Sequence, residues 1–422
     1  MITTINNEHK ELNFSSEREQ SQTCLNSAEH EKNQGRKVLN VPNLRFKEFQ
    51  GEWEKKRLEE CVEFLDGLRK PIKSEDRKSE QGLYPYYGAS GIIDYIDGYI
   101  FDGEYILLSE DGANIIDRNY RVAFIAKGKI WVNNHAHVLQ PYDGFDINFL
   151  SETLERLNYA VYNTGTTMPK LNQEVCRNIN LKIPTTKEQN KIGNLLSLLN
   201  KRIATQNKII DKLQSLIKGL NDFLYTQYGG EVLTSFAELG TSYSGLSGKS
   251  AQDFGSGKPF ITYLNVYSNN VVNENDFQYV AIKDGEKQNV AEYGDVLFTL
   301  SSETPEEVGI GSVYLGKENV YLNSFCFGIH ITNAKIAFPP YLSYYVSSTP
   351  FRKFVYPYAQ GSTRFNLCKA DFEKASIKLP SLESQKQIYS ILKSIASKIE
   401  TEKKLRGLYY TQKQYLLRQM FI

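Results

Sequence analysis

From residue 192 the apolar positions step by four and three: Ile192, Leu196, Leu199, Ile203, Ile210, Leu213, Ile217, Leu220 and Leu224, with Gln206 in the same register. This is an a/d seam held for about five heptads, and it predicts one long helix over 186–228. Pro184 closes the preceding strand, Thr185 or Thr186 can cap the helix, and Glu188 and Gln189 fall in its first turn. A second run, Ile388, Leu392, Ile395 and Ile399, continues less regularly through Leu405, Tyr409, Leu416 and Met420, and predicts a helix over 383–422. At about 1.5 Å per residue each helix would reach roughly 55 Å. Seams of that length do not stay in water, so the two helices are expected to pack on each other, antiparallel. Ile192, Leu196, Leu199, Ile203, Ile210 and Leu213 would meet Ile388, Leu392, Ile395 and Ile399, with Glu402 in the slot that matches Gln206 as a register-fixing polar pair.

The two helices belong to a repeat. Gly165-Thr166-Thr167 recurs as Gly361-Ser362-Thr363, Leu181-Lys182-Ile183-Pro184 as Ile377-Lys378-Leu379-Pro380, and Gln189 as Gln385, all at one offset of 196 residues. So long a period means duplicated domains rather than a solenoid. Ahead of each helix lie short β-branched or aromatic runs broken by glycine, which read as strands and turns. In the first copy these are 84–88, 103–108, 122–125 and 130–132, with a helix over 147–162. In the second they are 258–263, 294–298 and 312–315. Inside the globular parts the offset drifts: Trp131-Val132-Asn133 aligns with Tyr321-Leu322-Asn323 at 190, and Gly67-Leu68 with Gly245-Leu246 at 178. The helices are held to one spacing while the globular parts have taken insertions. The predicted organisation is a polar extension over 1–40, globular copies over 41–185 and 229–382, and helices over 186–228 and 383–422.

The charge balance, Lys+Arg 50 against Asp+Glu 49, excludes a uniformly basic nucleic-acid binder but permits basic faces. Five scattered cysteines without a CxxC pair suggest neither a disulfide framework nor a thiolate zinc site, and fit a reducing cytosol. No apolar run reaches membrane-spanning length and the N-terminus lacks a signal-peptide core, so a soluble, intracellular protein is expected. The 28 tyrosines and 22 phenylalanines mean strand and core packing, with a minority, Tyr86 among the candidates, available to a binding surface.

Three lookalikes of catalytic motifs are set aside. Phe338-Pro339-Pro340-Tyr341 resembles the loop that holds the target amine in amino-methyltransferases. Phe338 offers no polar side chain, however, and the prolines suit a helix start. Gly245 to Ser250 lacks the first glycine of a phosphate loop, and Phe254-Gly255-Ser256-Gly257 is too short for a nucleotide fingerprint. His135 and His137, two apart in strand-like sequence, should share a face, but Phe325 and Phe327 stand in their places in the second copy, which favours packing over metal. No catalytic or metal-ligating set is assigned.

What remains is polar chemistry suited to binding DNA. The first copy offers Arg69, Lys70, Lys73, Arg118, Arg121, Asn133, Asn134, Thr166, Thr167 and Lys170, besides Tyr86. The second offers Lys249, Lys258, Asn323, Ser324, Ser362, Thr363 and Arg364. Lys, Arg, Ser and Thr suit phosphate oxygens, while Asn and Arg can read base edges. The first helix adds seven basic residues against two acidic ones between 187 and 218, a solvated face or an electrostatic spine.

The tandem, the Pro42-Asn43-Leu44-Arg45-Phe46 to Trp53 opening, the Gly361-Ser362-Thr363 turn and the terminal Leu417-Arg418-Gln419-Met420-Phe421-Ile422 together resemble the specificity subunit of type I restriction–modification enzymes, over about residues 41–422. The resemblance implies an α+β fold of two tandem α/β target-recognition domains, each followed by a long helix, with the helices packed as an antiparallel coiled coil. It further implies that each domain reads one half of a split, asymmetric site in double-stranded DNA, and that the helices set the half-site separation and dock two modification (methyltransferase) subunits, with restriction/translocase subunits joining them. S-adenosylmethionine, ATP and Mg would belong to those partners, this chain carrying no cofactor and no catalysis, in a bacterial, cytoplasmic, nucleoid-associated complex away from any membrane. Two other readings stay open at this point: a self-contained DNA adenine methyltransferase, and a coiled-coil scaffold unrelated to DNA.

Overall fold

A computed structural model describes residues 40–77 and 82–422, so the polar extension up to 39 and Lys78 lie outside the described residues. The chain divides into two units: residues up to Leu199 with Gln412–Ile422, and Asn200–Thr411.

In the first unit, strands β1 (Glu54–Arg57), β2 (Val62–Phe64), β3 (Tyr84–Gly88), β4 (Gly91–Ile96), β5 (Phe101–Ser109), β6 (Ala123–Val132) and β7 (Ala136–Pro141) precede helix α1 (Ile147–Glu155), strand β8 (Asn180–Ile183) and the start of helix α2 (Thr186–Tyr228). Six strands form one sheet in the order β2-β7-β5-β6-β3-β4, antiparallel except for β3 beside β6. Alternation along β5 explains its two buried faces. Ile106 and Leu108 face a core shared with Phe149, Leu150 and Leu154 of α1, and Leu107 joins Phe101, Ile130 and Val138 on the other side. The runs 122–125 and 130–132, expected as separate strands, are one strand, because β5 pairs with β6 without a break from Phe101 to Leu108. The helix expected over 147–162 ends at Glu155. Tyr159 Oη donates to the carbonyl of Leu154, and Asn158 caps a short 3₁₀ turn over Tyr159–Tyr162.

Trp53 is buried edge-on against Phe149 and Phe421, and Phe421 stacks on Phe149 at 5.3 Å. Ile192 and Leu196 of α2 enter the same core as Leu417 and Met420. Arg45 grips the buried Glu188 with two hydrogen bonds of 2.8 and 2.7 Å.

The second unit follows the same plan with one break. Its strands are β9 (Val232–Thr234), β10 (Gly240–Ser244), β11 (Phe254–Ile261), β12 (Gln278–Val280), β13 (Val290–Ala291), β14 (Val296–Thr299), β15 (Ser301–Ser302), β16 (Gly311–Val313), β17 (Val320–Leu322) and β18 (Cys326–Ile331). Then come helix α3 (Pro339–Tyr345), strands β19 (Ala359–Gln360), β20 (Phe365–Leu367) and β21 (Ile377–Leu379), and helix α4 (Leu382–Gln419). The single long β6 of the first copy corresponds here to β16 and β17, parted by Tyr314 to Asn319, whose bend is closed by Tyr314 Oη donating to the Glu318 carbonyl at 2.6 Å. The sheet therefore splits into β10-β18-β14-β16 and β12-β11-β17-β13, with a small β15-β20-β19 sheet beside them. The core is aromatic: Phe236, Phe298, Phe351 and Phe372 pack with Tyr341 and Tyr345 of α3, Leu224 of α2, and Ile388 and Leu392 of α4. Phe338-Pro339-Pro340-Tyr341 starts α3, with proline in its first turn and Tyr341 buried.

The constant offset has a structural cause. In each copy an early strand pairs antiparallel with the strand that ends in Pro184 or Pro380: β1 with β8, and β9 with β21. Gln189 then donates to the carbonyl of Pro184 at 2.9 Å and accepts from the amide of Asp146 at 3.1 Å. Gln385 repeats this with Pro380 at 2.9 Å and the amide of Phe338 at 2.8 Å, and adds the carbonyl of Ile336 at 2.7 Å. One side chain ties strand end, helix start and the helix before them. Gln385→Ala leaves these groups buried without a partner and is expected to cost about 2–3 kcal/mol. A fall in the urea midpoint at unchanged m-value would register it.

Within the second unit α2 and α4 run antiparallel. Gln206 donates to Glu402, Arg406 to Asn207 at 3.1 Å, and Leu224 lies with Ile388 and Leu392. Ile192, Leu196, Leu199, Ile203, Ile210, Ile388, Leu392 and Ile399 are buried, whereas Leu213 and Ile395 are half-buried. No described helix is long and apolar enough to cross a membrane.

Candidate nucleic-acid interface

At one end of the first unit's sheet, a tight turn follows β6. The amide of Asn133 donates to the Tyr87 carbonyl at 3.0 Å, and its side-chain oxygen accepts from the His135 amide at 2.8 Å. Asn133 is thereby buried while Asn134 and His135 stand in solvent. The His135 carbonyl accepts from Glu110 at 2.9 Å, and the Glu110 carbonyl accepts from Leu171 at 2.7 Å. These two bonds join the turn to the end of β5 and to the loop Gly165 to Lys170. Asn163 pinches that loop at its base, its oxygen accepting from Gly165 at 3.0 Å and Lys170 at 2.8 Å. A Cβ on Gly165 would meet the Met168 carbonyl at 1.8 Å, so the pinch requires glycine.

The second unit builds the same edge with the same backbone bonds. The amide of Asn323 donates to Ile261 at 2.9 Å, and its side chain accepts from Phe325 at 2.9 Å. Leu300 donates to the Phe325 carbonyl at 2.9 Å, and Leu367 to the Leu300 carbonyl at 2.8 Å. Gly361 has a φ of +145° and lies against the Arg364 carbonyl, 2.1 Å from where a Cβ would be.

Charge at the first edge is mostly paired. Glu110 accepts from Arg69 at 2.7 Å and lies 3.5 Å from the Lys170 ammonium, and Asp111 holds His135 at 2.9 Å. Beneath them His137, 1% exposed, points one ring nitrogen at Asp66 (2.7 Å) and the other at the Leu171 carbonyl (2.8 Å). Both neighbours are acceptors, so both nitrogens must donate and the ring is an imidazolium. Burial alone would push its pKa down, but the hydrogen bond it donates to Asp66, and then the Cys176 side chain, push it up to about 10. Burial likewise raises the Asp66 carboxyl, and His137, the Val138 amide and Arg69 outweigh it and hold it below its usual value.

Of the candidates chosen from sequence, the first edge gathers Asn133, Asn134, Thr166, Thr167 and Lys170, with Arg69 and Lys70 beside them through bonds to Ala136 and Trp131. The second gathers Asn323, Ser324, Ser362, Thr363 and Arg364. Lys73 and Lys258 are exposed elsewhere. Several assignments need correction. Tyr86 is in the core, its hydroxyl accepting from the Ile72 amide at 2.9 Å. Asn133 is a turn-former rather than a surface group. Arg69 is spent on Glu110 and Asp66, and Lys249 on Glu286 and the Ala281 carbonyl at 2.7 Å. Arg118, at a φ of +58°, and Arg121 clamp α1 through Glu155 and Glu152, away from the edge. His135 and His137 do not share a face, because His135 sits in the turn before β7 begins. No group of His, Cys, Asp and Glu among the described residues could hold a metal ion. Sequence reasoning missed His135 and Phe325 as edge residues, although their alignment at one offset was the available signal.

Comparison with known proteins decides the family. Residues 50–215 and again 241–407 match the type I restriction modification DNA specificity domain. The chain belongs to that family. It is 36% identical over 148 residues to a putative type I restriction enzyme specificity subunit of Haemophilus influenzae, covering 35% of this chain and 37% of that protein. It is 27% identical over 154 residues to the EcoprrI specificity subunit of Escherichia coli, covering 36% and 37%. The same identity holds over 198 residues of the MjaVIII specificity subunit of Methanocaldococcus jannaschii, covering 43% and 45%. The chain thus spans less than half the length of the curated relatives it matches. The fold is that of the specificity subunit from M. genitalium, with a TM-score of 0.56 at 15% identity over 90% of this chain and 99% of that one. A chain from a study of assembly and conformational transition in the type I system gives 0.51 at 15%, over 87% and 97%.

Proposed function

We propose that this chain is the non-catalytic specificity subunit of a type I restriction–modification complex, and that its two units read the two halves of a bipartite, asymmetric site in double-stranded DNA. The observation that carries this is the pair of edges. Three backbone bonds and one Asn side-chain bond are the same in both, while the side chains they present differ: Asn134, His135 and Lys170 against Ser324, Phe325 and Asn366. A common frame with different polar contents is what two half-sites of unlike sequence require. The paired helices, carrying one spacing through both copies, fix the half-site separation and dock two modification subunits, with restriction/translocase subunits added to them. S-adenosylmethionine, ATP and Mg act in those partners, in the cytoplasm at the nucleoid. Sequencing methylated adenines in cells expressing this chain with its partners tests the reading; a continuous motif, or none, would refute it.

The exposed cations of the edges serve phosphates. Lys170→Glu and Arg364→Glu should each weaken binding to all sequences alike and flatten the slope of log K against log salt by about 1. Titrations of the assembled complex between 50 and 200 mM salt check this. A changed base preference at an unchanged slope would contradict the phosphate role.

A further inference from the structure

The turn-tip position 135/325 is where the two edges differ most in kind. In the first unit His135 is half-exposed and tethered through Nδ1 to Asp111, a polar group. In the second the same backbone frame presents a phenyl ring. Phe325 is 55% exposed, and its amide is fixed by Asn323 and its carbonyl by Leu300. Neither backbone group of the residue is left to choose its direction, so the ring is presented outward. Over it lies the Arg364 guanidinium at 5.8 Å, which also reaches Ser301 Oγ at 3.4 Å. An exposed phenylalanine is ordinary on a protein surface. One held at the tip of a rigid turn, between Ser324 and Arg364, is placed against whatever the edge binds.

On the reading that this edge binds DNA, on which the inference rests, we propose that Phe325 is a specificity-determining residue that reads the 5-methyl group of a thymine in the major groove. A phenyl ring has no hydrogen bond to offer a base edge, and among the groups lining that groove the thymine methyl is the apolar one. Arg364, anchored beside the ring, takes an adjacent phosphate. The first unit, with His135 at this position, makes no such contact.

The experiment uses the complex with its modification subunits. The methylated motif is mapped first, and deoxyuridine is then placed at each thymine of the second half-site in turn. At one position loss of the methyl should weaken binding of the unaltered protein by about fivefold. F325A should lose a similar factor on the thymine duplex and become indifferent to deoxyuridine, F325L should retain the sensitivity, and the first half-site should be unaffected in both. Because the side chain is exposed, unchanged thermal unfolding of both variants is expected. The inference is overturned, with the bipartite reading intact, if the second half-site contains no thymine on either strand. It is likewise overturned if deoxyuridine is neutral throughout, or if F325A keeps the sensitivity or weakens all duplexes equally. Absence of a bipartite motif overturns the specificity reading, and this contact with it.

Discussion

Replacing residues 41–185 with the first globular copy of another specificity subunit will change one half of the methylated motif and leave the other half and the spacing between them as they were. The expectation follows from how each edge is closed within its own unit: every backbone bond that shapes the 133–135 turn and the 165–171 loop comes from residues of the exchanged segment. Affinity for the original site should fall by about 10³-fold, the loss of roughly two to three base pairs at 1–3 kcal/mol each. The exchange has structural conditions. Trp53 and Phe149 pack on Phe421, Arg45 pairs with the buried Glu188, and the Asp146 amide is bound by Gln189, all across the exchange boundaries. A graft that keeps these groups should fold, whereas one that drops Arg45 strands a buried carboxylate and loses about 3–5 kcal/mol. Sequencing methylated adenines in cells carrying the graft gives the answer. If both halves of the motif changed, or neither did, the units would not be independent readers.

Where the repeat was rigid, the sequence already carried the structure. Gln189 and Gln385 recur because each makes the same bonds between strand, helix and preceding helix. Such geometry tolerates no change of spacing. Gly165 and Gly361 recur because a side chain at either would strike backbone. The drift of the offset from 188 to 190 residues between Ala123/Gly311 and Val132/Leu322 marks the bend that splits the second sheet, and its consequence for topology could not be read from length alone. The site was less legible, for a physical reason. Whether a basic residue is free for DNA depends on partners distant in sequence: Glu110 lies 41 residues from Arg69, and Glu286 lies 37 from Lys249. Periodicity placed His135 in a strand, but it lies in the turn ahead of one, its amide donating to the Asn133 side-chain oxygen. Charge listed along a chain therefore overstates the cations left unpaired at the surface.

His137→Phe, which gives the first unit the residue type found at the corresponding Phe327, will destabilise that unit by about 3 kcal/mol, because it takes from buried Asp66 its nearest cation and from the Leu171 carbonyl its donor. The second unit accommodates phenylalanine there because Phe327 packs with Phe298 and Phe372, with the Lys369 ammonium over its ring. The groups facing His137 are Asp66, Glu110 at 3.8 Å, Cys176 and the Phe64 ring, with Arg69 and Gln173 behind Asp66. Its proton is held more tightly in the folded state, with a pKa of about 10 against an ordinary 6.5. The stabilisation is therefore complete below about pH 6.5 and declines as pH rises toward 10. Asp66, held below its ordinary value of 3.8, works in the opposite sense, contributing above that pH and failing as the solution becomes more acid. Denaturation midpoints measured from pH 6 to 10 should fall more steeply for the unaltered chain than for His137→Gln. Parallel curves would show that no buried imidazolium exists. Since the ring holds Leu171, the end of the Gly165 loop, loss of its proton in the folded chain near pH 10 should weaken DNA binding through the first half-site while leaving contacts of the second edge unchanged.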